Sequence, residues 1–564
     1  MLLHLIICKE HNYSADLIMY IEKIIIKNFK CFENFELDLK KNINIIVGDN
    51  EVGKSTIIEA IHLALNGILS GKYLKNELTE YLFNKSAIEK WKKDKIDLPE
   101  ILIEIYINND VQSDKISLTK GKNNSKHEDK YGLYFKVCFD KEYEQPYQEY
   151  LKSPDADMLP IEYYHIVWKS FGDDTMVARN IPIKSILIDS VGSRYPSGSD
   201  MYINKIVREL SEVDNISILQ AHRKLQKAFC DEQSIQNINS KINDRNYKIS
   251  NKNIKLSINL KTQNAWSDDL LTYVDDVPFH HIGKGEQCLI KTDLSLNGKG
   301  KGADIILLEE PENHLSHSKL NNLISCIEKS NSQKQIIIST HSSFVANKLN
   351  LENLILINKT ESGERKYVRL RDLDAKTFIF FQKLAGYDTL RMLLCKSAIL
   401  VEGDSDELIV QKAYLTQQNK LPIEDEIEII SVGTAFLRFL EIANKVKKCV
   451  AVVTDNDGEI TNLNSKYENY LESNKKDNIG IFCGKTNEDF TLEACIVNAY
   501  EVNVKLLNKI FYGDENKKVK ADLISSMTKK NNKTTCALKI SETDEKITFP
   551  KYILEAIGHV RDGK

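Results

Sequence analysis

Apolar and polar side chains alternate from Tyr20 to Lys30 and again from Cys31 to Leu39. A period of two over such lengths predicts a hairpin-like pair of strands. Ile43–Val47 is apolar throughout and predicts a buried strand. It leads into Gly48-Asp49-Asn50-Glu51-Val52-Gly53-Lys54-Ser55 and a helical stretch, Thr56–Leu65. Further strands are expected at Ile101–Ile107 and Tyr134–Phe139, and the lysine-rich Lys120–Lys130 reads as an exposed connection. Tyr202–Leu260 is helical in pattern and free of Pro and Gly, an insertion with room for a few packed helices that could pair subunits. Ile305–Leu308 and Gln335–Ser339 are short apolar runs that predict buried parallel strands, with Ser318–Glu328 as the connecting helix. Leu349 to Lys396 reads as a mixed connecting region. From Ser397 a second α/β unit is expected: strand Ala398–Val401, helix Leu408–Gln417, strand Ile427–Ser431, helix Phe436–Val446 and strand Cys449–Thr454. The last seventy residues or so are lysine-rich and weakly periodic.

Bulk composition narrows the class. A chain of 564 residues predicts about three to four domains. The apolar fraction of 42% and charged fraction of 28% are those of an ordinary globular protein. A net charge of −4 excludes a wholly basic nucleic-acid binder, so any such contact must be local. Eleven cysteines without a Cys-x-x-Cys pair fit reduced thiols in a cytoplasmic protein, and argue against zinc or a disulfide framework. No apolar run reaches the roughly 18–20 residues of a membrane span. Residues before Met19 read as a dispensable leader or a misassigned start.

The candidate chemistry lies in two places. Strand, glycine-bearing loop and helix at 43–65 form the context of a phosphate-binding loop: backbone N–H groups curl around phosphates and the helix N-terminus favours the negative charge. There Lys54 would reach the β- and γ-phosphates of a nucleotide and the Ser55 hydroxyl would ligate Mg²⁺. The strand ending at Glu309-Glu310 supplies one carboxylate near that metal and a second to orient or deprotonate water at the γ-phosphate. His341 ends the next strand, where it could sense the same phosphate, and Gly283-Lys284-Gly285-Glu286-Gln287 is a turn entering a helix. In the second unit Glu402 ends one strand, and Asp455 and Asp457 follow another, two residues apart. Alternate residues of an extended segment face the same way, so both carboxylates are expected on one side of the turn. Hard oxygen ligands at the carboxyl edge of a parallel sheet suit Mg²⁺ or Mn²⁺.

The order Gly48–Ser55, Gly283–Gln287, Glu309–Glu310, His341 resembles the ABC-type ATPase head of the RecF and SMC group. So do Ile24-x-Ile26-x-Asn28-Phe29-Lys30 and Glu310-Pro311-Glu312-Asn313-His314-Leu315. The resemblance implies ATP bound by Gly48, Asn50, Gly53, Lys54, Ser55 and Thr56, with Glu309 and His341 beside it. It also implies a homodimer or larger homo-oligomer, in which Gly283 and Gly285 of one subunit complete the site of another. Two departures stand out. Glu309 replaces the usual Asp, and Lys284 and Glu286 replace the usual Ser and Gly of the signature turn, which weakens the expectation of fast turnover.

Glu402-Gly403, Gly433-Thr434 and Asp455-x-Asp457 resemble a Toprim domain, and a head followed by Toprim resembles the OLD (overcoming lysogenisation defect) nucleases. That resemblance adds Asp406 and Glu493 to Glu402, Asp455 and Asp457 as metal-binding acids. It also adds Lys533 as a charge-neutralising lysine, with Lys551 the runner-up. It implies an α/β protein: an ABC head over 19–200 and 261–358, a helical insertion at 201–260, a connection at 359–396, and a Toprim domain with C-terminal extension over 397–564. The expected function is ATP-regulated, metal-dependent DNA cleavage, by analogy with Gabija or retron-attached effectors of phage defence. A helicase-like subunit, or a reverse transcriptase with its RNA–DNA product, would then be a partner. The alternative is a repair factor of the ABC type whose Toprim unit only docks other proteins.

Overall fold

The computed structural model describes residues 19–70, 72–108, 114–152, 157–189, 212–243, 273–297, 303–330, 334–360, 362–486, 489–529 and 532–563. The chain divides into two compact units: residues up to Ile43 with Ser55–Ser339, and Asn44–Lys54 with Thr340 onward.

In the first unit, Ile21–Phe29 and Phe32–Asp38 form the expected antiparallel pair, with Ile24 opposite Leu37 and Ile26 opposite Phe35. Between the two strands, Asn28 and Lys30 take left-handed backbone conformations on either side of the fully buried Phe29. On its other side Ile21–Phe29 pairs with Ile101–Ile107, followed by Lys130–Phe139, which also carries Tyr164–Ser170. Lys120–Gly121 pairs with the start of Lys130–Phe139, so the expected exposed connection contributes a short strand.

Ser185–Asp189, Ile305–Glu309 and Gln335–Ser339 are parallel neighbours, with Leu187, Leu307 and Ile337 in register. Their sequences are nearly all apolar because parallel strands are covered on both faces. Of the polar residues at their ends, Gln335 is fully buried and satisfied: its amide accepts from Ile21 N (2.9 Å) and donates to Ile21 O (2.9 Å) and Lys40 O (2.8 Å). The connecting helix runs His317–Ser330. Of the expected insertion, Glu212–Asp231 and Gln233–Asn243 are helices, and 201–211 and 244–260 lie outside the described residues.

In the second unit the strand leading to the glycine loop, Ile43–Gly48, pairs in parallel with Leu354–Lys359, which pairs antiparallel with Arg365–Arg369. Part of the expected 359–396 connection is therefore sheet. Its remainder holds helices Ala375–Lys383 and Thr389–Leu394. Buried Asn347 anchors that segment: its Nδ2 donates to Ala385 O and Tyr387 O, and its Oδ1 accepts from Thr389 Oγ1 at 2.7 Å.

The Toprim-like portion is a four-stranded parallel sheet in the order Ile427–Ser431, Ser397–Val401, Cys449–Val453, Ile479–Phe482. The tail that looked weakly periodic is helical: Leu492–Asn498, Glu501–Tyr512, Lys520–Met527, Lys533–Glu542 and Lys551–Asp562. Leu507, Leu523, Ile553 and Ile557 from these helices share one core with Ile399, Val401 and Val410. The tail is thus half of that core.

Candidate active site

Five charged side chains from four stretches of the chain converge at the carboxyl end of the parallel sheet. Glu402 follows Val401, and its carbonyl accepts from Gly433 N at 3.0 Å. Asp406 sits in the first turn of helix Asp404–Gln418, and its Oδ2 accepts from Gly403 N at 2.9 Å, so the helix start fixes the carboxylate. Asp455 lies just beyond Cys449–Val453. Glu493 opens helix Leu492–Asn498 behind Thr491, whose hydroxyl caps Ala494 N. Lys533 begins helix Lys533–Glu542, and its Nζ is 3.4 Å from Glu493 Oε1.

The charges act on one another strongly. Burial, then the negative charges of Asp406, Glu493 and Glu402, pushes the Asp455 carboxyl up to about 7, against the pull of Lys533. Burial likewise pushes Asp406 up to about 6; Glu493 and Glu402 add to this, and the Gly403 N–H and Lys533 oppose it. Burial works against the Lys533 ammonium, yet Glu493, Asp455 and Asp406 hold its pKa above the ordinary value. The arrangement is a concentration of negative charge with one cation set into it.

Glu493 Oε2 is buried with no hydrogen-bond partner. An orphaned carboxylate oxygen is costly unless something cationic meets it, and that fits a divalent metal. Among the described residues, no three His, Cys, Asp or Glu side chains stand close enough to hold one ion by themselves. Mg²⁺ commonly takes only one or two carboxylates and completes its shell with water and substrate oxygens, so the donor set is compatible with the ion. Glu402, Asp406, Asp455 and Glu493 are the residues able to hold it.

Asp457 sits differently from the expectation. The strand ends at Val453, and Asp457 is an exposed turn residue with φ of 50°, its N–H bonded to Phe490 O. The largest charge effects on Asp455 come from the other four groups. Same-side placement by alternation fails because the segment is a turn and not an extended strand. Lys551, the runner-up lysine, is exposed and faces Glu555 at 3.7 Å. The sequence reading passed over Asn456 and Tyr552. Asn456 is buried between the two aspartates, and its signal was the turn-forming Asp-Asn-Asp-Gly run. Tyr552 is buried against Cys495, close enough to Asp455 and Asp406 that their charges help raise its phenol well above the usual value.

The glycine loop has the geometry its sequence implies. Gly48 has no room for a side chain: a Cβ would lie 2.6 Å from Ile357 O and 2.8 Å from Val52 Cγ2. Gly53 takes φ of 108°, and helix Lys54–Asn66 starts at the next residue. Lys54 is buried, and its Nζ donates to Gly48 O (2.9 Å) and Asp49 O (2.8 Å), which curls the loop around the ammonium. Arg365 holds the loop's outer side, its Nε donating to Val52 O at 3.0 Å. Thr56 is buried; Ser55 and Asn50 are exposed.

Of the other expected nucleotide-site residues, Glu309 ends its strand in register with Ser339. Glu310 has φ of 43°, donates its N–H to Ser339 O, and accepts at Oε2 from Asn313 Nδ2 at 2.7 Å. His341 is exposed. Gly283 is in open space, whereas a Cβ on Gly285 would fall 2.3 Å from His314 O, and Glu286 pairs with Lys319.

The family profile described as "AAA ATPase domain" matches residues 19–346, and that described as "Overcoming lysogenization defect protein-like, TOPRIM domain" matches 393–457. Structural maintenance of chromosomes protein 6 of Saccharomyces cerevisiae is 41% identical over 73 residues, 12% of this chain and 7% of that protein. RecF of Acetivibrio thermocellus is 45% identical over 49 residues, 9% of this chain and 13% of that protein. The chain thus spans a small part of those two relatives. Endonuclease GajA of Bacillus cereus is 23% identical over 506 residues, covering 72% of this chain and 71% of that protein. A solved SmcHead bound to the C-winged helix domain of ScpA aligns at TM-score 0.35 and 16% identity, over 62% of this chain and 98% of that one. An ATPase domain followed by a Toprim sheet is what the profiles and the elements have in common. The chain belongs to the AAA ATPase domain family and, with its TOPRIM domain of the overcoming-lysogenisation-defect type, is an OLD-family ATPase–Toprim protein.

Proposed function

We propose that the chain is an ATP-regulated, divalent-metal-dependent DNA endonuclease that works in the cytoplasm as a homodimer or larger homo-oligomer, in defence against phage. The convergence of Glu402, Asp406, Asp455 and Glu493 on Lys533 carries this reading. A docking scaffold has no use for two buried carboxyl groups, Asp406 and Asp455, whose pKa values burial and neighbouring acids raise; a phosphodiesterase does. The endonuclease GajA, alike over most of both chains, supports the same class. When bound, Mg²⁺ or Mn²⁺ would stabilise the attacking and leaving oxygens of the phosphodiester. Lys533 would donate to a non-bridging phosphate oxygen, where a fixed cation offsets charge that grows in the transition state. Asp406, held by Gly403 N–H, and Asp455 would present charged oxygens once their protons are displaced. Asp457, exposed at the rim, would act from the outer side of the turn.

At the glycine loop, Gly53, Lys54, Ser55 and Thr56 would hold the nucleotide phosphates, with Glu309 near its Mg²⁺ and Glu310 orienting water. The test is cleavage of supercoiled plasmid in Mg²⁺ or Mn²⁺ by wild-type and Lys54→Ala protein across an ATP titration. Cleavage whose ATP dependence disappears in Lys54→Ala supports the reading. No cleavage by wild type under any condition overturns the nuclease, and identical curves overturn the regulation.

A further inference from the structure

Two acids of the site, Asp455 and Glu493, come from a loop and a short helix, and such elements do not hold a fixed spacing unaided. Asp455 lies on a turn, and Glu493 on the helix Leu492–Asn498 of seven residues. A group of polar contacts joins these two elements to one another, and the nuclease reading does not use it.

Asn456, 2% exposed, is held on three sides. Its Nδ2 donates to Gly484 O (2.8 Å) and Thr486 O (3.2 Å), and its Oδ1 accepts from Gly458 N (2.9 Å). The side chain thereby fixes the turn that presents Asp455 and fastens it to the segment after strand Ile479–Phe482. That same segment grips the Glu493 helix. Thr486 Oγ1 donates to Asp489 Oδ2 at 2.7 Å, and Asp489 Oδ1 accepts from Asn498 Nδ2 at 3.0 Å. The Asp489 carbonyl accepts from Cys495 Sγ at 3.5 Å. Gly484 stands at the crossing point. A Cβ there would fall 2.4 Å from Asp489 O, 2.7 Å from Asp489 Cβ and 3.1 Å from Cys495 Sγ. Backbone cannot yield cheaply at such distances.

We propose that Asn456, Gly484 and Asp489 form a clasp that sets the spacing between Asp455 and Glu493, so that they are positioning residues of the site. The clasp rests on the reading of those two acids as partners in one metal site. Its three parts work in series: Asn456 holds the turn, Asp489 holds the helix, and the absent side chain of Gly484 lets the two close. Partners that orient metal-ligating groups typically contribute about 10- to 100-fold in metal affinity or activity.

The test compares Asn456→Ala, Asp489→Ala, Asp489→Asn and Gly484→Ala with wild type. The readouts are Mn²⁺ binding by electron paramagnetic resonance, the Mn²⁺ dependence of plasmid nicking, and amide hydrogen exchange. The expected result is a 10- to 100-fold rise in half-saturating Mn²⁺ for the first two variants. In both, exchange should quicken in the 455–458 turn and the Leu492–Asn498 helix together. Asp489→Asn keeps one acceptor for Asn498 and is expected to recover most of the affinity. Gly484→Ala deletes no polar group and is expected to behave like Asp489→Ala. Wild-type Mn²⁺ affinity in Asn456→Ala and Asp489→Ala, or faster exchange in one element without the other, would overturn the clasp. Failure of the nuclease reading looks different: wild type itself would not nick DNA, and the clasp would still stand or fall on the exchange pattern.

Discussion

Replacing Lys533 by alanine removes the cation that, among the described residues, is set among the acids, and two separate losses follow. The first is electrostatic. Lys533 Nζ lies 3.4 Å from Glu493 Oε1, and the Glu493 side chain is 8% exposed. Unit charges near 4 Å interact by about 4 kcal/mol at an effective dielectric constant near 20. The Lys533 side chain, however, is 40% exposed, so solvent screens part of that attraction. A fully exposed pair contributes roughly 0–1 kcal/mol. The expected destabilisation of metal-free protein therefore lies between, about 1–2 kcal/mol. Mg²⁺ should shrink it, since the ion supplies the missing positive charge. The second loss is catalytic. A fixed donor aimed at developing phosphate charge is comparable to an oxyanion-hole donor, whose removal costs about 10²–10³ in kcat. The assay is single-turnover nicking of supercoiled plasmid, with thermal melts run with and without Mg²⁺. Lys533→Arg should keep most of the stability and part of the rate. Nicking by Lys533→Ala within about threefold of wild type, in a folded protein, would refute the role given to this lysine; Lys551→Ala, altering an exposed side chain, should change neither readout.

Three further outcomes are expected. Gly48→Ala forces a methyl group onto Ile357 O and Val52, so it should cost about 1–3 kcal/mol of stability and weaken binding of a fluorescent ATP analogue. Glu310→Gln should bind that analogue normally while hydrolysing ATP slowly, read by phosphate release; unchanged turnover would remove Glu310 from its role. The third concerns pH. Asp406 and Asp455 have folded pKa values raised to about 6 and about 7 from an ordinary 3.8. The native state then keeps protons that the unfolded chain has lost, and stability falls as pH rises from about 4 to about 7. Melting temperatures of metal-free protein should show that fall over and above any global trend, and Asp455→Asn should reduce it.

How much was legible beforehand follows from the physics of each element. Ile427–Ser431 and Gln335–Ser339 were read to the residue because a parallel strand buried on both faces is a short apolar run between polar neighbours. The glycine loop was legible because its conformation demands particular residues, Gly48 for close approach and Gly53 for a positive φ. Arg365–Arg369 was missed because its sequence, Arg-Lys-Tyr-Val-Arg, is charged and carries no apolar run. The helices of the tail were missed for another reason: at seven to twelve residues each, they are too short for a stripe to repeat convincingly. Glu493 and Lys533 therefore came only from likeness to a family, although the fold brings them within 3.4 Å. Asp457 shows the converse error, in which a rule for extended chain was carried into a turn. Asn456 was treated as the spacer between two aspartates, and it is the residue that fixes their turn.

The central claim is that the acid cluster cuts DNA, and Asp455→Ala tests it most directly. This change removes the acid whose pKa burial and its neighbours raise to about 7 and leaves the glycine loop's residues untouched. Purified Asp455→Ala and wild-type protein, matched for melting temperature and ATP-analogue binding, are incubated with supercoiled plasmid and Mn²⁺. The account predicts nicked or linear product from wild type and none above background from Asp455→Ala. Equal cleavage by the two would contradict it.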